Sequence, residues 1–136
     1  MVLLANAPAK GKVLVVDDDI VTLTITRDRL EESGFDVLVQ QESSGTLELI
    51  RAERPDFVLL DLNMPGLTKE KFGELIRCKN KPEKANIIFH SAQKLSRLQT
   101  MAKKEGVLGA ISKTGNDALF IAQFERLVKR AQRAEA

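Results

Sequence analysis

Short apolar segments alternate along the chain with longer segments whose apolar residues recur at helical spacing. Residues 13–16 form the first apolar run, and their β-branched and leucine side chains predict a strand buried on both faces. Residues 20–32 have apolar positions near helical spacing, with Asp19 placed to cap the start and Gly34 to end the helix. The pattern therefore predicts a strand followed by a helix.

A second unit of the same kind follows. Residues 35–39 have the composition of a strand. Ser43 or Ser44 can cap a helix that runs to Glu53, and Pro55 prevents that helix from continuing.

The third apolar run, residues 57–60, predicts a buried strand that delivers Asp61 to its carboxyl end. Thr68 can cap the helix that follows, and a fourth strand is predicted at residues 87–89. The next helix is expected to end at Gly106. Its predicted inward-facing residues are Leu95, Leu98 and Met101.

The C-terminal part of the chain predicts a short strand and a long helix. The strand lies within residues 107–112 and is the weakest of the five patterns. The helix begins near Asn116 and Asp117, and basic residues gather at its C-terminal end, as the helix dipole favours. Its apolar stripe consists of Phe120, Phe124, Leu127 and Val128.

Five alternations of strand and helix in a chain of 136 residues predict one α/β domain. Right-handed crossovers place helices on both faces of a parallel sheet, which favours the flavodoxin-like (βα)5 fold, a doubly wound five-stranded sheet of order 2-1-3-4-5. We expect the domain to span residues 11–131, with a flexible leader at 1–10 and a flexible tail at 132–136.

Composition narrows the class of protein further. A formal net charge of +2 without Trp or Tyr gives no support to direct nucleic-acid binding, and no segment is long and apolar enough for a membrane helix. The single cysteine, Cys78, cannot form an internal disulfide, so we expect a cytoplasmic protein. Seven basic residues near the C-terminus are interpreted mainly as solvated surface, with a docking patch for an acidic partner as the alternative: Lys94, Arg97, Lys103, Lys104, Lys129, Arg130 and Arg133.

Carboxylates follow two strands that are neighbours in the predicted order. Asp17 and Asp18 come directly after the first strand and Asp61 after the third, so all three meet at one edge of the sheet. Three crowded carboxylates repel one another unless a cation joins them. We therefore predict a Mg²⁺ site, completed by water and a backbone carbonyl.

Two further strand ends supply the remaining groups of a phosphoryl site. Ser91 offers a hydroxyl donor and Lys113 a mobile positive charge. Asp61 is the predicted nucleophile toward phosphorus, while Mg²⁺, Lys113 and Ser91 would neutralise the phosphoryl oxygens. No protein base is needed, because a carboxylate is already ionised at neutral pH.

These motifs together resemble the receiver domain of two-component response regulators over about residues 10–131. The sequence Val-Leu-Val-Val-Asp-Asp-Asp resembles the first strand and acidic pair at Asp17 and Asp18, and Asp-Leu-Asn-Met-Pro-Gly resembles the phosphoacceptor loop at Asp61. Ile-Ile-Phe-His-Ser-Ala resembles the fourth strand with its hydroxyl at Ser91, and Gly-Ala-Ile-Ser-Lys the fifth with Lys113.

The resemblance implies a signalling domain rather than an enzyme, one that assists its own phosphorylation and dephosphorylation. A histidine kinase or phosphotransfer protein would supply the phosphoryl group, and the backbone carbonyl of Asn63 would join the metal ligands. Asn63 and Gln93 occupy positions that influence hydrolysis of the aspartyl phosphate in this family. Output would leave through the fourth helix, fifth strand and fifth helix, while the downstream target and dimerisation on phosphorylation stay open.

Two positions depart from the family pattern. Ala110 stands where an aromatic residue usually turns inward during signalling, and Thr114 stands where proline usually follows the lysine. A cis bond before Thr would cost about 2.5 kcal/mol or more, so the loop after Lys113 is expected to be trans and looser. We expect intact phosphorylation chemistry with an unusual readout.

Two alternative functions fit parts of the same pattern. Asp17 and Asp19 also resemble the nucleophile and general acid of Mg²⁺-dependent haloacid-dehalogenase-type phosphatases. A pseudo-receiver that binds partners without phosphate is the other alternative.

We interpret His90 as a packing or surface residue, because strand alternation turns it away from Ser91. Cys78 is interpreted as structural, at an exposed helix end.

Overall fold

Strands and helices alternate throughout the computed structural model, which describes residues 9–113 and 116–135. Residues 1–8 of the expected leader at 1–10, and Thr114, at which a looser loop is expected, lie outside these residues. The strands are β1 (Lys12–Val16), β2 (Asp36–Gln40), β3 (Phe57–Leu60), β4 (Asn86–Ser91) and β5 (Gly109–Ser112). The helices are α1 (Ile20–Glu32), α2 (Thr46–Glu53), α3 (Lys69–Arg77), α4 (Leu95–Glu105) and α5 (Asp117–Glu135).

The five strands form a single parallel sheet of order β2-β1-β3-β4-β5, which confirms the predicted flavodoxin-like topology. The order reverses at β1, because the chain adds β2 on one side of it and β3 on the other. Ligands of open α/β sheets bind at the carboxyl edge beside such a reversal. The topology therefore predicts a binding site at the carboxyl ends of β1 and β3.

The core consists of two apolar layers, one on each face of the sheet. Alternate residues of a strand face opposite sides, so Ile88 packs with residues of α1 and α5, whereas its neighbour Ile87 packs with residues of α2, α3 and α4. Both isoleucines are fully buried. Burial on both faces explains why the central strands are continuous apolar runs.

Most helix ends follow the predicted signals. Asp19 caps α1 by accepting from the backbone N–H of Val21, and Thr68 caps α3 by accepting from that of Lys71. Gly106 ends α4 in the left-handed conformation.

The predicted cap of α2 is wrong. Gly45 occupies the N-cap position with a left-handed backbone and makes no side-chain cap bond. The hydroxyl of Ser43 instead donates to the carbonyl of Pro65, 3.4 Å away. A contact with a distant loop has replaced the local capping bond.

The ends of two elements also differ from the expectation. β2 begins at Asp36, because Phe35 turns into the α1 and α5 layer instead of joining the sheet. α5 continues to Glu135, so residues 132–135 of the expected flexible tail are helical, which suits the helix-favouring residues there. No helix in the described part of the chain is long and apolar enough to cross a bilayer.

Candidate functional site

The carboxyl edge of the sheet brings together one functional side chain from each of four strand ends. Asp17 follows β1, Asp61 follows β3, Ser91 ends β4 and Lys113 follows β5. Backbone hydrogen bonds continue past the strands: Asp61 donates to the carbonyl of Val16 at 3.0 Å, and Lys113 to that of Ser91 at 2.8 Å. The sheet itself therefore fixes where these side chains begin.

Three carboxylates converge at this edge as the sequence predicts. Oxygen atoms of Asp17, Asp18 and Asp61 all lie within 4.8 Å of one another. Asp17 and Asp61 are only 1% and 3% exposed, whereas Asp18 is exposed. Two buried carboxylates so close together require compensating positive charge.

Lys113 supplies part of that charge. Its Nζ lies 2.7 Å from Asp17 Oδ2 and 3.2 Å from Asp61 Oδ2. Burial by itself lowers the pKa of the Lys113 ammonium, but the contacts with Asp17 and Asp61 outweigh burial and raise its pKa. The lysine is therefore charged at neutral pH and is ion-paired within the site.

The acidic cluster also fits a hard divalent cation. Asp17 Oδ2 is buried and, among the described residues, accepts no directed hydrogen bond, so the nearby ammonium is its compensation. Carboxylate oxygens are the preferred ligands of Mg²⁺, and the exposure of Asp18 leaves room for the water that this ion retains. The donor set fits Mg²⁺ better than softer metals.

Ser91 belongs to a small polar network beside the carboxylates. Its hydroxyl is buried and accepts from Asn63 Nδ2 at 3.1 Å and from the backbone N–H of Gln93 at 3.4 Å. The Gln93 side chain donates to Asn63 Oδ1 at 3.5 Å. Asn63 and Gln93 both donate to the Ser91 oxygen, so the hydroxyl hydrogen remains available to donate to an acceptor in the site.

Asp61 is oriented from two sides. Its Oδ1 accepts from the backbone N–H of Asn63 at 3.0 Å, and its Oδ2 accepts from Lys113. An ionised carboxylate still has further lone pairs after these two bonds. Asp61 can therefore act as a nucleophile or metal ligand while it keeps this orientation.

Asp19 is not arranged as a general acid. Hydrogen bonds from the Thr22 hydroxyl and the backbone of Val21 lower the pKa of its carboxyl, whereas a general acid needs a raised pKa. Asp19 serves as the cap of α1.

His90 is a packing residue, in agreement with the prediction. It is 5% exposed and its ring centroid lies 5.4 Å from that of Phe120. Burial, and then the charge of Lys113, lower the pKa of His90 to about 4, so its imidazole is neutral at physiological pH. The ring lies on the opposite sheet face from Phe89, which explains why it stays apart from the polar network.

The structure corrects the predicted exposure of Cys78. The residue follows α3, but its side chain is buried in the α2, α3 and α4 layer. Burial raises the pKa of the thiol, which makes it less reactive. The structural interpretation of Cys78 agrees with this burial, and only its predicted position at an exposed end is wrong.

The sequence predicted which residues meet at this edge of the sheet but missed two of their contacts. Lys113 was expected as a mobile charge, yet it pairs with both buried carboxylates. The amide bridge from Asn63 to Ser91 was not foreseen either. The positions of these residues at strand ends carried the signal for the site, whereas side-chain pairing depends on rotamers that the sequence does not reveal.

Comparison with known proteins agrees with the fold. The family model described as "Response regulator receiver domain" matches residues 13–125. The transcriptional regulatory protein CseB of Streptomyces coelicolor is 30% identical over 118 residues, which cover 87% of this chain and 49% of that protein. YxdJ of Bacillus subtilis, also a transcriptional regulatory protein, is 28% identical over 121 residues, covering 89% of this chain and 52% of that protein.

The chain therefore spans about half the length of these curated relatives. Among solved structures, the chemotaxis response regulator CheY4 of Vibrio cholerae is similar, with a TM-score of 0.75 at 22% identity. The alignment covers 89% of this chain and 99% of that one. At this identity the likeness supports the fold.

Proposed function

The chain belongs to the response regulator receiver domains of two-component systems, a family of signalling proteins, and we propose that it accepts a phosphoryl group on Asp61. One observation carries the proposal: Asp61 is a buried carboxylate held between a charged lysine and two further carboxylates at the sheet edge. Such an arrangement suits a nucleophile whose product carries additional negative charge.

The proposed transfer uses the groups around Asp61 directly. A carboxylate oxygen of Asp61 forms a bond to phosphorus, and the bond from phosphorus to the imidazole nitrogen of a phosphohistidine donor breaks. Lys113 and the Ser91 hydroxyl stabilise the phosphoryl oxygens as charge spreads over them. The domain would in this way assist its own phosphorylation and the later hydrolysis of the phosphate on Asp61.

We propose that Mg²⁺ is held by Asp17, Asp18, Asp61 and the backbone carbonyl of Asn63. The convergence of the three carboxylates supports this assignment. When bound, the ion would supply positive charge to the phosphoryl oxygens.

The donor and the output are also proposals. A histidine kinase or phosphotransfer protein would be the donor, acting in the cytoplasm on a receiver unit of residues 11–131. Output would pass through the face formed by α4, β5 and α5 to a protein partner, with no direct contact between this domain and nucleic acid. Because the curated relatives are transcriptional regulatory proteins and about twice as long, a DNA-binding region could be that partner.

The test is intact mass after incubation of the full chain with acetyl phosphate and Mg²⁺. We expect a gain of one phosphoryl group that is lost in Asp61→Ala and when the metal is chelated. Asp28→Asn is the matched control, because Asp28 is an exposed carboxylate on α1. It should be phosphorylated like the unchanged chain.

Other outcomes would select the alternative functions. No gain in mass with fold and Mg²⁺ binding intact would favour a pseudo-receiver that signals without phosphate. Turnover of a phosphate ester that survives Asp61→Ala but not Asp17→Ala would favour a phosphatase.

A further inference from the structure

An open groove of about 570 Å³ runs along the outer edge of β5 between α4 and α5. Leu108, Gly109 and Ala110 form its floor. Leu95 of α4 and Leu127 of α5 contribute apolar walls. The groove thus combines an apolar floor with polar side chains, among them Gln99 of α4 and Gln123 of α5, at the end of the sheet.

On the α4 side, the groove owes its depth to a small residue of β5, Ala110. Ala110 is paired with Phe89 in the sheet and presents only a methyl group toward the α4 side. The space beside Gly109, by contrast, is already filled by Leu127 of α5. A large side chain at residue 110 would occupy the space that is open here.

The charged residues that line the groove are all basic. Lys103 lies on α4, and Arg126 and Arg130 lie on α5. Arg130 Nη1 donates to the carbonyl of Leu108 at 3.1 Å, which holds that guanidinium against the floor. Among the described residues lining the groove there is no carboxylate to neutralise these three charges.

We propose that this groove binds an acidic segment of a partner protein, which inserts one bulky apolar side chain over Ala110. Burial of that side chain would supply affinity, and the three basic residues would select and orient the acidic flanks. The inference rests on the proposed output role of the α4, β5 and α5 face, and it names the chemistry of the partner.

A second copy of the chain fits the groove less well. A symmetric dimer through this face would bring two basic grooves into one interface, and the like charges of the two copies disfavour that contact. Nucleic acid is disfavoured by the apolar floor and by the absence of Trp and Tyr from the sequence, which leaves few side chains for base stacking.

The experiment titrates the unphosphorylated full chain, without Mg²⁺, into a short synthetic peptide of Asp and Glu around a single Trp. Because the protein contains no Trp or Tyr, the peptide is the only strong emitter. We expect a saturable blue shift of its emission and weaker binding as salt is added. The same peptide with Lys replacing its acidic residues should not bind.

Three variants locate the binding site. Ala110→Phe fills the floor and should weaken binding about tenfold or more. Lys103→Ala should weaken it about two- to fivefold, whereas Lys104→Ala, next to it but outside the groove, should change it less. Circular dichroism establishes whether each variant is folded. If Ala110→Phe does not fold, the comparison of Lys103→Ala with Lys104→Ala still tests the proposal.

The proposal is overturned if the acidic peptide does not bind, if the basic peptide binds equally well, or if the groove variants behave like Lys104→Ala. Displacement of the peptide by a single-stranded oligonucleotide, or a protein mass that doubles in light scattering as the peptide dissociates, would assign the groove to nucleic acid or to a second copy. None of these outcomes depends on Asp61, so failure here is distinguishable from failure of the phosphorylation proposal.

Discussion

His90 is the sole histidine of the chain, and its ring is held neutral in the interior. Its pKa is about 4 in the folded state against about 6.5 in an unfolded chain. The unfolded state therefore binds more protons between these values, so stability falls as the pH falls through that window.

We expect the free energy of unfolding to drop by about 2 kcal/mol between pH 7 and pH 5 because of this one residue. Urea denaturation of the unchanged chain and of His90→Gln at both pH values measures the difference. An NMR titration of the single imidazole should show no protonation above about pH 5. A midpoint near 6.5 would contradict the buried neutral ring.

Lys113 is predicted to stabilise the fold as well as to serve the site. Its Nζ lies within 3.2 Å of both buried carboxylates, and its raised pKa keeps this stabilisation in place until the pH exceeds the lysine's ordinary value. Lys113→Met should lower the free energy of unfolding by about 2 kcal/mol without divalent ions, because two carboxylates lose their hydrogen-bonded counter-charge.

Added Mg²⁺ should restore part of this loss, which thermal unfolding with and without the ion would measure. Lys129→Met is the control, since Lys129 is exposed on α5 and away from the carboxylates. Equal stability of Lys113→Met and Lys129→Met would show that the carboxylates do not rely on Lys113.

At the residue scale, the sequence predicted which groups meet but not how they bond. Asp17, Asp61 and Lys113 were identified because each follows an apolar run, and chain order alone then brings them to one edge. The burial of Cys78 was missed because it depends on how the segment after α3 folds back over the core.

At the element scale, two glycines provide a matched test of packing. A Cβ on Gly109 in β5 would lie 2.7 Å from Leu127 Cδ2, whereas one on Gly73 in α3 would meet nothing closer than 3.7 Å. Gly109→Ala should destabilise the fold by about 1–3 kcal/mol, because the core must shift.

Gly73→Ala should instead stabilise the fold by about 0.5–1 kcal/mol, because alanine favours the helix. Thermal unfolding of both variants measures the opposite signs. Destabilisation by both substitutions to the same extent would rule out the close contact as the cause.

Element type was well predicted from the sequence, and errors occurred at element ends. Local signals fixed Asp19, Thr68 and Gly106 as helix boundaries, because each acts within its own turn. Ser43 misled the prediction because its hydroxyl bonds to a loop that is distant in sequence.

At the scale of the whole molecule, the sheet joins two layers into one cooperative core. Ile87 and Ile88 are adjacent in β4 and fully buried in opposite layers. Replacement of either by alanine should cost about 2–5 kcal/mol and leave a single unfolding transition.

Urea unfolding followed in parallel by circular dichroism and by hydrodynamic radius tests this prediction. Coincident curves are expected for the unchanged chain and for both variants. Separate transitions in either variant would mean that one layer can unfold without the other.

The contact between Gly109 and Leu127 has a mechanical consequence. Because the strand backbone meets the helix side chain with no intervening atoms, β5 has little free travel relative to α5. A displacement of β5 would therefore push on Leu127 and, through it, on α5. The Gly109–Leu127 contact would in this way couple movement of β5 at the carboxyl edge of the sheet to the position of α5.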